Sequence, residues 1–156
     1  MNPSNSARLQ RCETQLRGFL DQVLPGVAVE AILERPPSGK WSASEHLAHL
    51  ARQQQNFVAR VDRILKEEAP VLPRYRAEED PEWEQWRGLA YKEVAAELAT
   101  GREKLIARLK PLSDADYGRT GVHSKFGEMS LALWLEFFLT HEAHHLYAVL
   151  QLVRGR

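Results

Sequence analysis

The sequence has little that would tie the chain to a disulfide framework, a membrane or a nucleic acid. It holds one cysteine in 156 residues, Cys12, which excludes an internal disulfide and suits a reducing compartment. No apolar run reaches the roughly 18 to 20 residues of a membrane-spanning helix, and residues 1–11 are too polar for a signal peptide. Basic and acidic residues number 21 each, so the net charge is zero and no basic patch indicates nucleic-acid binding. We therefore expect a soluble, cytoplasmic protein that binds neither membranes nor nucleic acids.

Helical periodicity is present along most of the chain, and no segment shows the sustained apolar–polar alternation of a strand. Apolar residues recur at three- and four-residue steps in four segments, about 5–24, 42–68, 90–109 and from 131 nearly to the end. The segment 69–89, rich in proline, charge and aromatic residues, is too long for a tight helical hairpin. We predict an all-α fold in which residues 1–156 form one domain, a four-helix bundle with a long crossover between helices 2 and 3.

Individual residues refine this prediction. Ser42 and Glu45 have the spacing of a capping box, and Ser130 is expected to cap the last helix. Gly101 weakens the third helix by about 1 kcal/mol relative to alanine. Trp83 and Trp86, in the crossover, are expected to cover either the core or a partner subunit.

The last predicted helix carries His141, His144 and His145, half of the six histidines in the chain. His141 and His145 are four residues apart on the apolar stripe, so their imidazoles lie on one face about a turn apart. Neutral imidazole is a common ligand of zinc. Two ligands from one helix hold a divalent ion weakly, so a metal site here needs a third ligand from another element.

His46 and His49, in the second predicted helix, are the candidates for that third ligand. A helical wheel slightly favours His46, which lies nearer the middle of the apolar face, but spacing alone leaves the choice open. His144 lies off the stripe and is expected beside the site or at the surface, and His123 is expected to be a solvated loop residue. The alternative to a metal site is a set of core histidines hydrogen-bonded to carbonyl or carboxylate groups.

Two related metal motifs do not fit. The segment HEAHH matches the H-E-x-x-H pattern of zinc proteases, but none of the 11 residues after His145 is His, Asp or Glu, so no downstream third ligand exists. Di-iron bundles use two E-x-x-H pairs and further glutamates, whereas Glu142 to His145 is the one such pair here. Glu142 is expected to be a polar neighbour of the site or a surface charge.

Three motifs together resemble the DinB/YfiT-like superfamily of metal-binding four-helix bundles over about residues 9–152. They are GKWSASEHLAHL at the start of the second helix, FGEMSL before the last helix, and HEAHHLYAVLQL within it. Carried over by residue, the resemblance implies His49, His141 and His145 as the metal ligands. It also implies a divalent ion, with zinc first and nickel or iron(II) as alternatives, and a homodimer.

The superfamily includes metal-dependent hydrolases and transferases of small thiols such as bacillithiol, mycothiol or glutathione. The resemblance therefore implies a metal-dependent enzyme that activates water or a small thiol for attack on a small-molecule substrate. Trp41, Gln53 and Trp134 are candidate lining residues of a pocket between the second and fourth helices, although core packing is the favoured interpretation of both tryptophans. No catalytic residue is identified. The sequence LYA follows His145 where much of the family has Arg-Gly-Gln, so the subgroup is not specified. The alternative is a non-catalytic metal-binding or scaffold bundle.

Overall fold

The computed structural model describes residues 1–155, most of which lie in helices. The helices are α1 (Pro3–Val23), α2 (Val29–Leu33), α3 (Ala43–Lys66), α4 (Trp83–Arg87), α5 (Tyr91–Leu109), α6 (Asp114–Gly118) and α7 (Leu131–Arg154), with a 3-10 turn at Ala77–Glu79. The four long helices, α1, α3, α5 and α7, have 21, 24, 19 and 24 residues. They confirm the predicted four-helix bundle.

The helix starts follow the predicted caps. The Ser42 side chain accepts from the Glu45 amide while the Glu45 carboxylate accepts from the Ser42 amide, the reciprocal pair of a capping box. Ser130 accepts from the Leu133 amide at the start of α7. Each cap satisfies backbone amides of the first turn and so fixes where its helix begins.

Each long helix packs against two others, so that α3 and α1 both contact α5 and α7. The helices α3 and α7 are antiparallel, because His46 lies beside His145 near one end of the pair and Phe57 stacks on Phe138 further along. This pairing lays the first turns of α3 against the second half of α7.

The helices α3 and α5 are parallel neighbours. The Gln54 amide donates to the Leu98 carbonyl, and Asp62, eight residues later, pairs with Arg108 on α5. Parallel neighbours cannot be joined by a short turn, so the chain between α3 and α5 must return along the length of the bundle. This geometry confirms the predicted crossover. Gly101 allows the close approach, because a Cβ there would lie 2.9 Å from Nε2 of Gln54.

The prediction that no strands form was wrong. The strands β1 (Val71–Leu72), β2 (Thr120–His123) and β3 (Gly127–Ser130) form one sheet in the order β1-β2-β3, with β1 parallel to β2 and β2 antiparallel to β3. Strands of two to four residues are too short to show an alternating pattern, and one of the two partners of β2, strand β1, is supplied by the distant crossover. A Cβ on Gly121 would lie 3.0 Å from Ile64, so this glycine lets β2 lie against α3.

The interior consists of two apolar clusters. One surrounds Trp134, whose ring is fully buried and donates from Nε1 to the Gly121 carbonyl. The other holds Leu47 and Leu98 together with Trp83 and Trp86. Both crossover tryptophans therefore cover the core of this chain. Within residues 1–155, no helix is both long enough and apolar enough to cross a membrane.

Candidate metal centre

Four histidine rings meet where the first turns of α3 lie against the second half of α7. The capping box at Ser42 starts α3 so that His46 and His49 fall in its first two turns. Antiparallel α7 brings His141 and His145 beside them. The site is thus assembled from two helices that are about 90 residues apart in sequence.

Three of these rings converge through their Nε2 atoms. The Nε2 atom of His141 lies 3.2 Å from that of His49 and 3.1 Å from that of His145. Metal–nitrogen bonds of about 2.0 to 2.1 Å place two tetrahedral ligands about 3.3 Å apart, so the nitrogen spacing fits one shared ion. Among residues 1–155, this is the one group of three or more His, Cys, Asp or Glu side chains with metal-binding spacing.

The rings are neutral at physiological pH, which is the form that binds a metal. Burial, together with neighbouring histidines and, for His141, Arg60, lowers the pKa of His49 to about 3, of His141 to about 4 and of His145 to about 2. Three neutral rings can lie this close because none of them carries a charge.

His46 contacts His145 through the ring nitrogen that does not take part in the convergence. Its Nδ1 atom lies 2.8 Å from Nδ1 of His145, so one of the two nitrogens must carry a hydrogen and donate a hydrogen bond to the other. If Nε2 of His145 is a ligand, the neutral ring carries its proton on Nδ1, and His46 is the acceptor. The geometry therefore places His49 in the converging group and His46 as the residue that orients His145. The role of the three rings as ligands remains a prediction.

Aromatic side chains hold the histidine rings in place. The Trp41 ring lies 5.1 Å from His49 and 6.0 Å from His145, centroid to centroid, and also packs against Trp83. Tyr75 also stacks on His49, with ring centroids 5.7 Å apart. The buried Nδ1 of His49 has no hydrogen-bond partner in the described chain, so ring packing and the contact of its Nε2 atom with His141 orient this side chain.

Tyr75 and Trp83 were not predicted as site residues. Both lie in the crossover, and the sequence signal that could have found them is the concentration of aromatic residues in an otherwise polar, aperiodic segment. Trp41 was expected to line the site and does contact three of the four rings. Trp134 was also a candidate lining residue, with core packing as the alternative, and it is fully buried in the core.

A cavity of about 270 Å³ opens beside His141. Gln53, Phe57 and Arg60 on α3 and Phe138 on α7 contribute to its wall. The expected pocket between the second and fourth long helices is therefore present, with Gln53 in the predicted position.

Two other predictions about polar residues were wrong. His123, expected to be solvated, is 3% exposed and belongs to β2. Glu142, expected to be near the site or at the surface, is 1% exposed and pairs with Arg102 inside the bundle. One position along a helix turns a side chain by about 100°, so Glu142 faces away from His141. His144 is exposed, as expected, and lies outside the converging group.

A four-helix bundle with parallel neighbours and histidines converging from α3 and α7 defines the class of this protein. The chain belongs to the DinB superfamily, whose family model matches residues 8–149. This match and the fold confirm the resemblance recognised in the sequence.

Individual relatives agree with that assignment. Protein YuaE of Bacillus subtilis is 27% identical over 139 residues, which cover 79% of this chain and 83% of that protein. A protein of Oceanobacillus iheyensis named "Putative metal-dependent hydrolase OB0782" is 27% identical over 124 residues, covering 76% of this chain and 69% of that protein. The structure of YfiT from Bacillus subtilis, described as a probable metal-dependent hydrolase with an unusual four-helix bundle topology, is 20% identical with a TM-score of 0.81, covering 99% of this chain and 89% of that one.

Proposed function

We propose that the chain is a metal-dependent hydrolase of small molecules, in which His49, His141 and His145 bind one divalent ion. Zinc is the first choice, with nickel or iron(II) as alternatives. The observation that carries the proposal is the convergence of three Nε2 atoms, with separations of 3.1 and 3.2 Å, beside a cavity. When bound, a divalent ion supplies Lewis acidity and lowers the pKa of water toward neutrality. Two similar proteins, from Oceanobacillus iheyensis and Bacillus subtilis, are described as metal-dependent hydrolases, which supports the same class.

The residues of the chain perform the remaining tasks. Three ligands leave at least one coordination position for a reactant, unlike a closed four-ligand structural site. His46 accepts a hydrogen bond from Nδ1–H of His145 and so leaves Nε2 of that ring unprotonated and free to bind the metal. The Gln53 amide lines the cavity and can orient a polar group of the substrate.

The neighbouring carboxylates are already engaged. Glu45 accepts from the Ser42 amide and pairs with Arg35, and Glu142 pairs with Arg102. Neither is available as a general base. The chemistry proposed here therefore depends on the metal and not on a carboxylate.

Metal content is the first test. We expect about one equivalent of divalent metal in protein purified without a metal-binding tag, and none in a His141→Ala/His145→Ala double variant that keeps its helical circular dichroism. His144→Ala is the matched control, because it removes an adjacent exposed histidine outside the group, and it should retain the metal. Equal metal content in the double variant and the wild type would overturn the site.

Turnover is the second test, and it separates the proposal from its alternatives. Metal-loaded protein is assayed for ester and amide hydrolysis and for conjugation of an electrophile with bacillithiol, mycothiol or glutathione. Hydrolysis that disappears with a chelator supports the proposal, whereas metal-dependent conjugation alone would establish the thiol transferase expected from the resemblance instead. Metal binding without either activity would make the protein a non-catalytic metal-binding or scaffold bundle.

Three further expectations belong to this proposal. They are a single domain over residues 1–156, a homodimer and a cytoplasmic location. Light scattering on protein eluted from a size-exclusion column measures the mass directly and tests the homodimer. The expected mass is near 36 kDa, about twice the 17.8 kDa of one chain.

A further inference from the structure

The cavity beside His141 is lined by three cationic side chains, Arg60, Arg74 and Lys125. No aspartate or glutamate belongs to its wall. Within the described part of the chain, none of the three cations makes an ion pair. The cavity therefore has an excess of positive charge in a protein whose net charge is zero.

Arg60 shows this excess most clearly. Its Nη2 atom donates to the Pro73 carbonyl at 2.8 Å, and its guanidinium lies 5.4 Å from the centroid of the Trp134 ring. Burial lowers the pKa of Arg60, and no carboxylate opposes that shift. Arg102 and Arg52, which are also largely buried, are different, because Arg102 pairs with Glu142 and Arg52 pairs with Asp80. A partly buried arginine without an anion is unfavourable until an anion binds.

His123 adds a neutral donor to the same cavity. Its Nδ1 atom accepts from the backbone amides of Lys125 at 3.0 Å and Phe126 at 3.2 Å, so the ring proton lies on Nε2. The structure shows no protein acceptor for Nε2–H within residues 1–155. Burial lowers the pKa of His123, and the charges of Arg60, Arg74 and Lys125 lower it further, so all three cations act on one region of the cavity.

The rest of the wall is aromatic. Phe57 and Phe138 stack at 4.6 Å, and Phe126 and Phe137 lie edge to face with ring centroids 5.6 Å apart. At about 270 Å³ the cavity is at the small end of ligand pockets. A flat apolar group can pack against such rings, whereas the cations favour a negative charge at its end.

We infer that this cavity binds a small organic anion, with Arg60, Arg74, Lys125 and His123 on its carboxylate or phosphate group and the phenylalanines on its apolar body. The inference rests on the proposed function in one respect, because it makes this anion the substrate class of the centre at His141. Binding of the anion itself does not require the metal. The structure thus assigns charge selection to the cavity and leaves bond cleavage to the centre.

The test measures binding calorimetrically with phenylacetate and phenyl phosphate, on both chelator-treated and zinc-loaded protein. Phenylacetamide and benzylammonium are the neutral and cationic probes of similar size. Both anions are expected to bind, at least tenfold more tightly than the other two probes, and to weaken as salt rises. Equal affinity for phenylacetate and phenylacetamide would overturn the inference. The two anions compared with each other distinguish a carboxylate site from a phosphate site.

The variant Arg60→Gln should weaken anion binding about tenfold or more, as loss of a charge-assisted hydrogen bond does. Arg17→Gln is the matched control, because this α1 side chain is 86% exposed and lies outside the cavity, and it should not change the affinity. If Arg60→Gln does not fold, the exposed Arg74→Gln replaces it with the same expected direction. Unchanged affinity in the cavity variant would contradict the assignment.

The two proposals can fail separately. Anion binding that depends on Arg60 in a protein without hydrolase activity would sustain the cavity assignment and reject the proposed function. Metal-dependent hydrolysis of neutral esters with no preference for anionic ones would sustain the proposed function and reject the cavity assignment.

Discussion

At the scale of single residues, His46 makes a contact different from those of the other three site histidines. It meets the group through Nδ1 of His145, on the side opposite the convergence point. Removal of such an outer partner costs about 10- to 100-fold in metal affinity, because the ligand ring loses its orientation and preferred tautomer. His46→Ala should therefore retain zinc with an affinity reduced by about that factor, measured by competition with a chromogenic chelator.

A pair of controls distinguishes the acceptor role from simple packing. His46→Asn keeps an acceptor oxygen near the ring and should lose less affinity than His46→Ala. His49→Ala removes one of the three converging nitrogens and should lose stoichiometric binding. If His46→Ala binds zinc as tightly as the wild type, His46 has no part in orienting His145.

The only cysteine, Cys12, is fully buried on α1, with its carbonyl accepting from Nη1 of Arg102. Burial raises the pKa of its thiol, and the charge of Arg102 only partly opposes this. We expect no reaction of the native protein with a thiol reagent at pH 7, and one reactive thiol per chain in concentrated urea. Rapid labelling of the native protein would show that α1 opens readily.

At the scale of elements, one arginine joins the four long helices. Arg102 on α5 donates to the Cys12 carbonyl on α1, to Oε1 of Gln54 on α3 and to the Glu142 carboxylate on α7. Arg102 and Glu142 are both more than 90% buried. This side chain therefore links all four long helices at one place in the bundle, although a buried ion pair is not in itself evidence of high stability.

Removing Arg102 leaves the Glu142 charge buried without a cationic partner, with the Gln15 amide as its remaining hydrogen-bond donor. Arg102→Met should lower the free energy of unfolding by about 3 to 5 kcal/mol, measured by urea denaturation. The double variant Arg102→Met/Glu142→Leu should regain much of the loss, because no unpaired charge remains. Arg17→Met breaks the exposed pair with Asp21 and should cost less than about 1 kcal/mol. If Arg102→Met lowered the free energy of unfolding no more than Arg17→Met does, the buried pair would contribute nothing to stability.

At the scale of the whole molecule, the four clustered histidines make the stability of metal-free protein depend on pH. The fold lowers the pKa of His46 and His141 to about 4, of His49 to about 3 and of His145 to about 2, chiefly by burial. Below pH 6.5 the unfolded chain takes up protons that the folded chain does not. The stability present above pH 6.5 is therefore lost as the pH falls toward 4.

Each such histidine contributes a slope of at most about 1.4 kcal/mol per pH unit in this range. Urea denaturation of chelator-treated protein at pH 7, 6 and 5 should show a steadily falling free energy of unfolding. His145→Phe, which removes the histidine with the lowest pKa, should show a shallower slope than the wild type. A free energy that stays constant between pH 7 and 5 would contradict the burial of neutral rings.

The sequence predicted features that depend on neighbours along the chain. The three- and four-residue periodicity indicated all four long helices, and the capping box at Ser42 placed the start of α3. The four-residue spacing of His141 and His145 put both rings on one face of α7. Features made by distant residues were missed, as with β1 and β2, or misjudged, as with the burial of His123.

Sequence periodicity alone could not decide whether His46 or His49 joins the converging group. Both lie on the face of α3 that turns toward α7, and a wheel separates them only slightly. The antiparallel packing of α3 on α7 brings Nε2 of His49 to His141 and leaves His46 against the far side of His145. The family resemblance favoured His49, but only the packed helices supply the distances behind that preference.

By itself, the sequence determined the helical class, the long crossover and the helices that carry the histidines, because periodicity, caps and breakers act within a few residues of the chain. The tertiary structure decided which nitrogens converge, which cations remain without a carboxylate, and that Arg102 pairs with Glu142. Those outcomes depend on the relative placement of helices that are far apart in sequence, and that placement follows from packing the whole core at once.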